Sequence, residues 1–170
     1  MTAPVVVFAV GNPSRGDDAI GPVLAERVRA WLAASGLADV VDVIEDFQLQ
    51  IEHALDLQGR SLALFIDAGE GTPSPLTLEP AGPSALASHS THALTPEAVL
   101  EVYRRTEGVE PPRAFVLCVR GEDFELGAPL TAAAGERADL AMEVLGELLA
   151  DRSPAAWQGV VDRLADGRKG

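Results

Sequence analysis

Three groups of polar residues in this chain are of types that can hold a metal ion or move a proton. Asp17-Asp18 follow closely on Gly11-Asn12-Pro13-Ser14-Arg15-Gly16, Asp67 follows directly on Leu62-Ala63-Leu64-Phe65-Ile66, and His89 and His92 lie in Ser88-His89-Ser90-Thr91-His92. Carboxylates and imidazoles together suit borderline divalent ions such as nickel or zinc, and a positioned carboxylate can act as a general base. Each group also has a structural alternative. Asp17 or Asp18 would favour the N-terminus of a helix beginning near Ile20, and loop histidines can make local hydrogen bonds. Asp67 is harder to assign to structure alone, because a carboxylate ending a buried apolar strand is costly unless paired, hydrogen-bonded or metal-bound. The third histidine, His53, falls in an expected helix and reads as a surface or boundary residue.

Several other chemistries lack their residues. The chain has no His-Glu-x-x-His zinc-protease helix, no Gly-x-Ser-x-Gly nucleophile elbow and no Gly-x-x-x-x-Gly-Lys-Ser/Thr phosphate loop. Gly11 and Gly16 do not complete the Gly-x-Gly-x-x-Gly fingerprint, which disfavours a dinucleotide- or nucleoside-binding enzyme. Cys118, inside Phe115-Val116-Leu117-Cys118-Val119, reads as a small buried hydrophobe and not as a nucleophile.

The elements that must position these groups alternate between strand and helix. Val5-Val6-Val7-Phe8-Ala9-Val10 is a continuous apolar, β-branched run ending in a Gly-Asn-Pro turn, as a strand buried on both faces requires. A helical stripe follows through Ile20, Val23, Leu24, Val28, Trp31 and Leu32, ending before Gly36. Val40 to Ile44 reads as a strand, Leu49 to Leu57 as a helix closed by Gly59, and Leu62 to Ile66 as a buried strand ending on Asp67. Leu76 to Leu78 reads as a short edge strand, Thr95-Pro96-Glu97 as the cap and first turn of a helix through Tyr103, and Phe115 to Val119 as a further strand. Leu140, Val144, Leu145 and Leu148 mark a long helix, and Trp157, Val160, Val161 and Leu164 a last one. The pattern predicts a three-layer α/β fold, a twisted and mostly parallel sheet with helices on both faces. Residues 1–165 form one domain in this reading, with 166–170 a polar, frayed tail. In such a sheet ligands bind outside the carboxyl ends of the strands, so Gly11 to Asp18, Asp67 and Ser88 to His92 are expected to converge on one rim.

Composition narrows the partners. The 170 residues carry 13 basic against 26 acidic side chains, a formal charge of -13, which repels nucleic-acid phosphates and anionic membranes. Apolar runs such as Pro4 to Val10 are far shorter than the roughly 20 residues a span needs, and no basic segment precedes a cleavable apolar stretch. A cytoplasmic protein is expected, and one cysteine allows no internal disulfide.

Taken in order, the motifs resemble those of hydrogenase maturation proteases. Val10-Gly11-Asn12 with Asp17-Asp18-Ala19-Ile20-Gly21 is similar to the family's opening motif. Phe65-Ile66-Asp67-Ala68, Ser90-Thr91-His92-Ala93-Leu94 and Arg120-Gly121-Glu122-Asp123-Phe124-Glu125-Leu126-Gly127 follow in its order and approximate spacing. Glu45-Asp46-Phe47-Gln48-Leu49-Gln50 further resembles members serving soluble NAD-reducing hydrogenases. The resemblance implies an endopeptidase that removes the C-terminal extension of a nickel-loaded [NiFe]-hydrogenase large-subunit precursor. It implies Asp18, Asp67 and His92 as metal contacts, with the nickel supplied by the precursor. Many members have glutamate at the position of Asp18 and glycine at that of Ala19, so either Asp17 or Asp18 is the metal-reaching acid. No activated serine or cysteine stands out, which leaves attack by water with Asp17, Asp18 or Asp67 as candidate bases. A non-catalytic, nickel-sensing assembly chaperone for a hydrogenase would use the same three ligands without cleaving anything.

Overall fold

The computed structural model describes residues 2–84 and 94–169. Val5–Val10 forms β1, with all six residues buried, because it lies inside the sheet and packs on both faces. The chain then makes a short 3-10 helix, Gly16–Ala19, that leads directly into α1, Ile20–Ser35. Gly36 ends α1 at φ 70°, a left-handed cap whose N–H reaches the carbonyls of Ala33 and Leu32. β2 is Val41–Asp46, β3 is Leu62–Glu70, β4 is Leu76–Ala81 and β5 is Arg113–Gly121. The remaining helices are α2, Pro96–Glu107, α3, Ala132–Ala150, and α4, Pro154–Lys169. Thr95 caps α2 by accepting the Ala98 N–H at 3.1 Å, and Thr131 caps α3 by accepting that of Ala134 at 3.2 Å.

The strand order is β2-β1-β3-β5-β4, parallel except for β4, which runs antiparallel along β5. Alternate residues of the central strands serve two separate cores. Val5, Val7, Leu64, Ile66 and Leu117 face α1, α3 and α4, where Trp157 meets Phe115 edge-on at 5.4 Å. Val6, Phe8, Ala63 and Phe65 face α2, with Phe8 and Phe65 stacked at 4.9 Å. This is the expected three-layer α/β arrangement.

β2, β4, β5 and α2 run a few residues past their expected ends, and three further differences change the reading. Leu49 to Leu57 is not an α-helix: the chain enters extended at Gln50 and forms a 3-10 helix, Ile51–Leu57. The Nδ1 of His53 accepts the Gln50 N–H at 2.8 Å and tightens its first turn, and the three-residue period turns both Ala54 and Leu57 to the sheet. β3 does not stop at Asp67 but continues to Glu70, because β5 keeps pairing with it. The expected frayed tail is helical as far as Lys169.

Candidate functional site

The site is built where β1 and β3 end their common ladder. Past Val10 the backbone turns at Gly11, φ 153°, and the chain comes back so closely that a Cβ there would lie 2.0 Å from the Asp18 carbonyl oxygen. Gly16, at φ 54°, is equally constrained by the Asp123 carbonyl oxygen, 2.1 Å from where its Cβ would stand. These approaches fold residues 11–18 into a compact loop pressed against the segment that follows β5.

The adjacent acids in this loop do different work. Asp17 is completely buried. Its Oδ2 accepts hydrogen bonds from the Glu122 N–H at 2.6 Å, the Asp123 N–H at 3.2 Å and the Thr131 hydroxyl at 2.9 Å, and its Oδ1 accepts the Thr131 N–H at 2.8 Å. Burial by itself raises the pKa of this carboxyl. The bonds from Thr131, Glu122 and Asp123 outweigh that effect and hold it below the ordinary carboxylate range. Asp17 thus ties the loop after β1 to the loop after β5 and to the start of α3. Offered by the sequence as a candidate base, it here has all its bonding directed at protein donors. It also does not cap a helix at Ile20; its donors lie more than 100 residues away in the sequence.

Asp18 turns the other way. Its Oδ2 accepts the Asn12 N–H at 2.6 Å, and the half-buried carboxylate borders a cavity of about 480 Å³ whose other walls include Val10, Phe47, Leu49 and Asp67. Asp67 shares that cavity, with its Oδ1 accepting the Ala68 N–H at 2.8 Å. Burial pushes the Asp67 pKa up to about 7; the Ala68 N–H opposes this, and the negative charge of Asp18 adds to it. Two carboxylates facing one cavity, one of them forced toward its neutral form, make a place that a divalent cation would relieve. The convergence of Asp18 and Asp67 at the carboxyl edge follows the sequence-based expectation.

His89 and His92 lie outside the described residues, and among those described no three metal-binding side chains gather. Leu94, Thr95 and Pro96 line the same cavity as the two acids. His53, expected at the surface or boundary, is 6% exposed. Its ring stands edge-on to Phe8 with centroids 5.7 Å apart, and its Nε2 lies 3.4 Å from Asp46 Oδ2. The ring belongs to the sheet-facing side of the 3-10 helix, which explains the burial.

Cys118 stands opposite Asp67 in the β3–β5 register, and its Sγ lies 3.1 Å from Thr72 Oγ1. Burial raises its pKa, so it stays a thiol, though it is half-buried and bonded to Thr72 where the sequence reading expected a buried hydrophobe. Sequence reasoning missed Phe47 and Leu94 as cavity walls and Thr131 as the partner of Asp17; no local pattern marks a contact made across the fold. A larger cavity of about 640 Å³ lies between β4, α3 and α4, on the opposite face of the sheet from Asp67. Two acids, Glu143 and Glu147, line it as well, but Glu147 is bridged to Arg163 at 2.6 Å and Arg168 lines the same cavity, so the acids there are offset by basic residues.

No family model matches the chain, and no curated protein does. Solved structures do share its fold. The [NiFe] hydrogenase maturation protease HycI from Thermococcus kodakarensis superposes with a TM-score of 0.64 at 23% identity, over 88% of this chain and 94% of that one. The hydrogenase maturating endopeptidase HybD from E. coli gives 0.63 at 24% identity, over 85% and 91%. The HybD maturation protease from T. kodakarensis gives 0.62 at 18% identity, over 85% and 98%.

Proposed function

We propose that this chain shares the task of these proteases as well as their fold: it is an endopeptidase that removes the C-terminal extension of a nickel-loaded [NiFe]-hydrogenase large-subunit precursor in the cytoplasm. The observation that carries the reading is the pairing of Asp18 and Asp67 in one cavity at the carboxyl edge of the sheet. Both positions match the motif resemblance, and the mutual repulsion of the two acids suits a cation. His92 is the proposed third contact. It precedes Leu94, a wall of that cavity, by two residues, which span at most about 7 Å of extended chain.

Three ligands without a thiolate make an open set, since closed structural sites have four. Nickel is therefore cargo carried by the precursor, and the precursor's own ligands complete the coordination. When bound, the ion supplies Lewis acidity toward the scissile carbonyl or an attacking water. Asp18, held by the Asn12 N–H, is oriented toward the cavity. Asp67, facing the same cavity, is the second acid that would hold the ion and the candidate to take a proton from the attacking water.

The test is the mass of the large subunit over time, with purified protein and precursor prepared with and without nickel. Loss of the extension from the loaded form alone is the expected result. Equal cleavage of both preparations would remove the metal-sensing step, and co-elution without cleavage would overturn the peptidase.

A further inference from the structure

β3 outlasts β1. Their ladder ends with Ala9 opposite Ile66, whereas on the other side β5 continues to pair with β3 until Gly121 opposite Glu70. Among the described residues, Asp67 to Glu70 therefore have a strand paired on one edge and none paired on the other, where the 3-10 helix Gly16–Ala19 approaches β3. In a parallel ladder successive residues turn their N–H and C=O alternately toward the two neighbours, so two of these four residues address the vacant side. Ala68 is one: its N–H is donated to the Asp67 carboxylate, a side-chain substitute for a missing ladder bond. Glu70, two residues on, points the same way. Among the described residues, no turn, loop or 3-10 backbone group bonds to residues 67–70. Exposure rises along the same stretch, from the buried Leu62 to Ile66, through half-buried Asp67, Ala68 and Gly69, to exposed Glu70.

We propose that the peptide to be cut is bound as an added β-strand along this edge, so that its scissile bond is laid beside Asp67 and Asp18. The proposal rests on the endopeptidase reading and specifies how the substrate is held. An unpaired strand edge is a template for an extended segment, with main-chain bonds supplying affinity whatever the side chains are. The outer edge strand β4 carries Glu79 and Pro80, residues that discourage pairing. Ala68 and Gly69 instead bring neither charge nor proline to the β3 edge, although the Cα of Gly69 is itself packed against Thr72 and Cys118. The edge spans roughly 13 Å, enough for bonds at alternate residues to fix the register. Register decides which bond is cut, because a slip of one residue reverses the faces of the strand.

The decisive experiment uses a nickel-loaded large-subunit precursor whose C-terminal segment is synthetic and joined by ligation. A single backbone N-methyl group is moved one residue at a time across the four residues on each side of the cut. KM should rise roughly five- to tenfold for each lost bond at alternate residues on one side of the cut, with the intervening residues and kcat near those of the unmodified precursor. From the protein side, Glu70→Pro removes an N–H that the β5 ladder does not use and should raise KM similarly, whereas Glu70→Ala should not. A profile without the two-residue period overturns the added strand while the peptidase stands. No cleavage of the unmodified precursor overturns the peptidase reading and this proposal with it.

Discussion

Replacing Asp17 separates a structural acid from a catalytic one. Asp17→Ala strands three backbone N–H groups, those of Glu122, Asp123 and Thr131, in a place where Asp17 itself has no exposed surface. At about 1–3 kcal/mol for each unsatisfied buried donor, the loss is at least about 3 kcal/mol even after relaxation. That is a large part of the roughly 5–15 kcal/mol by which a domain is stable. Asp17→Asn is only partly better. Its carbonyl can take the three donors now on Oδ2, but its NH2 then faces the Thr131 N–H, and charge assistance is lost throughout, for a cost of about 2 kcal/mol. The pKa of Asp17 is lowered in the folded chain, so its stabilisation is complete above the unfolded value of 3.8 and is lost as pH falls through the folded one. The gap between wild type and Asp17→Asn should thus be constant from pH 5 to 8 and close only in stronger acid. Urea unfolding followed by circular dichroism measures both quantities, and precursor processing in the cold measures what the folded fraction can still do. An Asp17→Asn protein that keeps its stability within about 1 kcal/mol yet cleaves nothing would return Asp17 to the chemistry and refute the structural assignment.

The other expectations concern the cavity. Asp67→Asn should abolish processing while stabilising the metal-free protein at alkaline pH. The folded carboxyl keeps its proton to about 7 while the unfolded one releases it near 3.8, so wild-type stability falls between those values and is flat above. At about 1.4 kcal/mol per tenfold, the upper bound on the gain at pH 8 is roughly 4 kcal/mol; equal pH profiles for the two proteins in thermal unfolding would contradict the shift. His92→Ala should abolish processing with little loss of stability, and a more severe effect from His89→Ala would move the metal contact to His89. His53→Ala should lower stability by about 1–2 kcal/mol through its lost turn contact and packing, with processing by the folded protein intact; loss of nickel-dependent cleavage would place His53 in the site.

The strands facing both cores were legible because a buried parallel strand needs an unbroken apolar run, and Val5 to Val10, Leu62 to Ile66 and Phe115 to Val119 supply one. The stops at Gly36 and the Thr95 cap were legible for equally local reasons. β3 beyond Ile66 was not, because Asp67, Gly69 and Glu70 carry no strand preference and are held by the neighbouring β5. The 3-10 geometry of Ile51–Leu57 depends on the His53 ring, and the burial of that ring depends on Phe8, more than forty residues earlier. In the site, Asp67 stood out by its own cost of burial. Asp18 and Asp17 are indistinguishable by type, and only the tertiary donors from residues 122–131 tell them apart.

Those donors also impose an order of assembly. A chain emerging from the ribosome at about 5–20 residues per second exposes Asp17 well before it has made Thr131, the residue that both bonds the carboxylate and begins α3. Until then the Gly11 to Asp18 loop lacks the two Thr131 bonds to Asp17, and before residues 113–121 are made β3 has no β5 to extend it past Ile66. The nascent polypeptide therefore completes the anchor of the loop that carries Asp18 only after residue 131 has been made. A message truncated before that point yields a fragment in which Asp17 lacks its Thr131 partner and the cavity of Asp18 and Asp67 lacks that support.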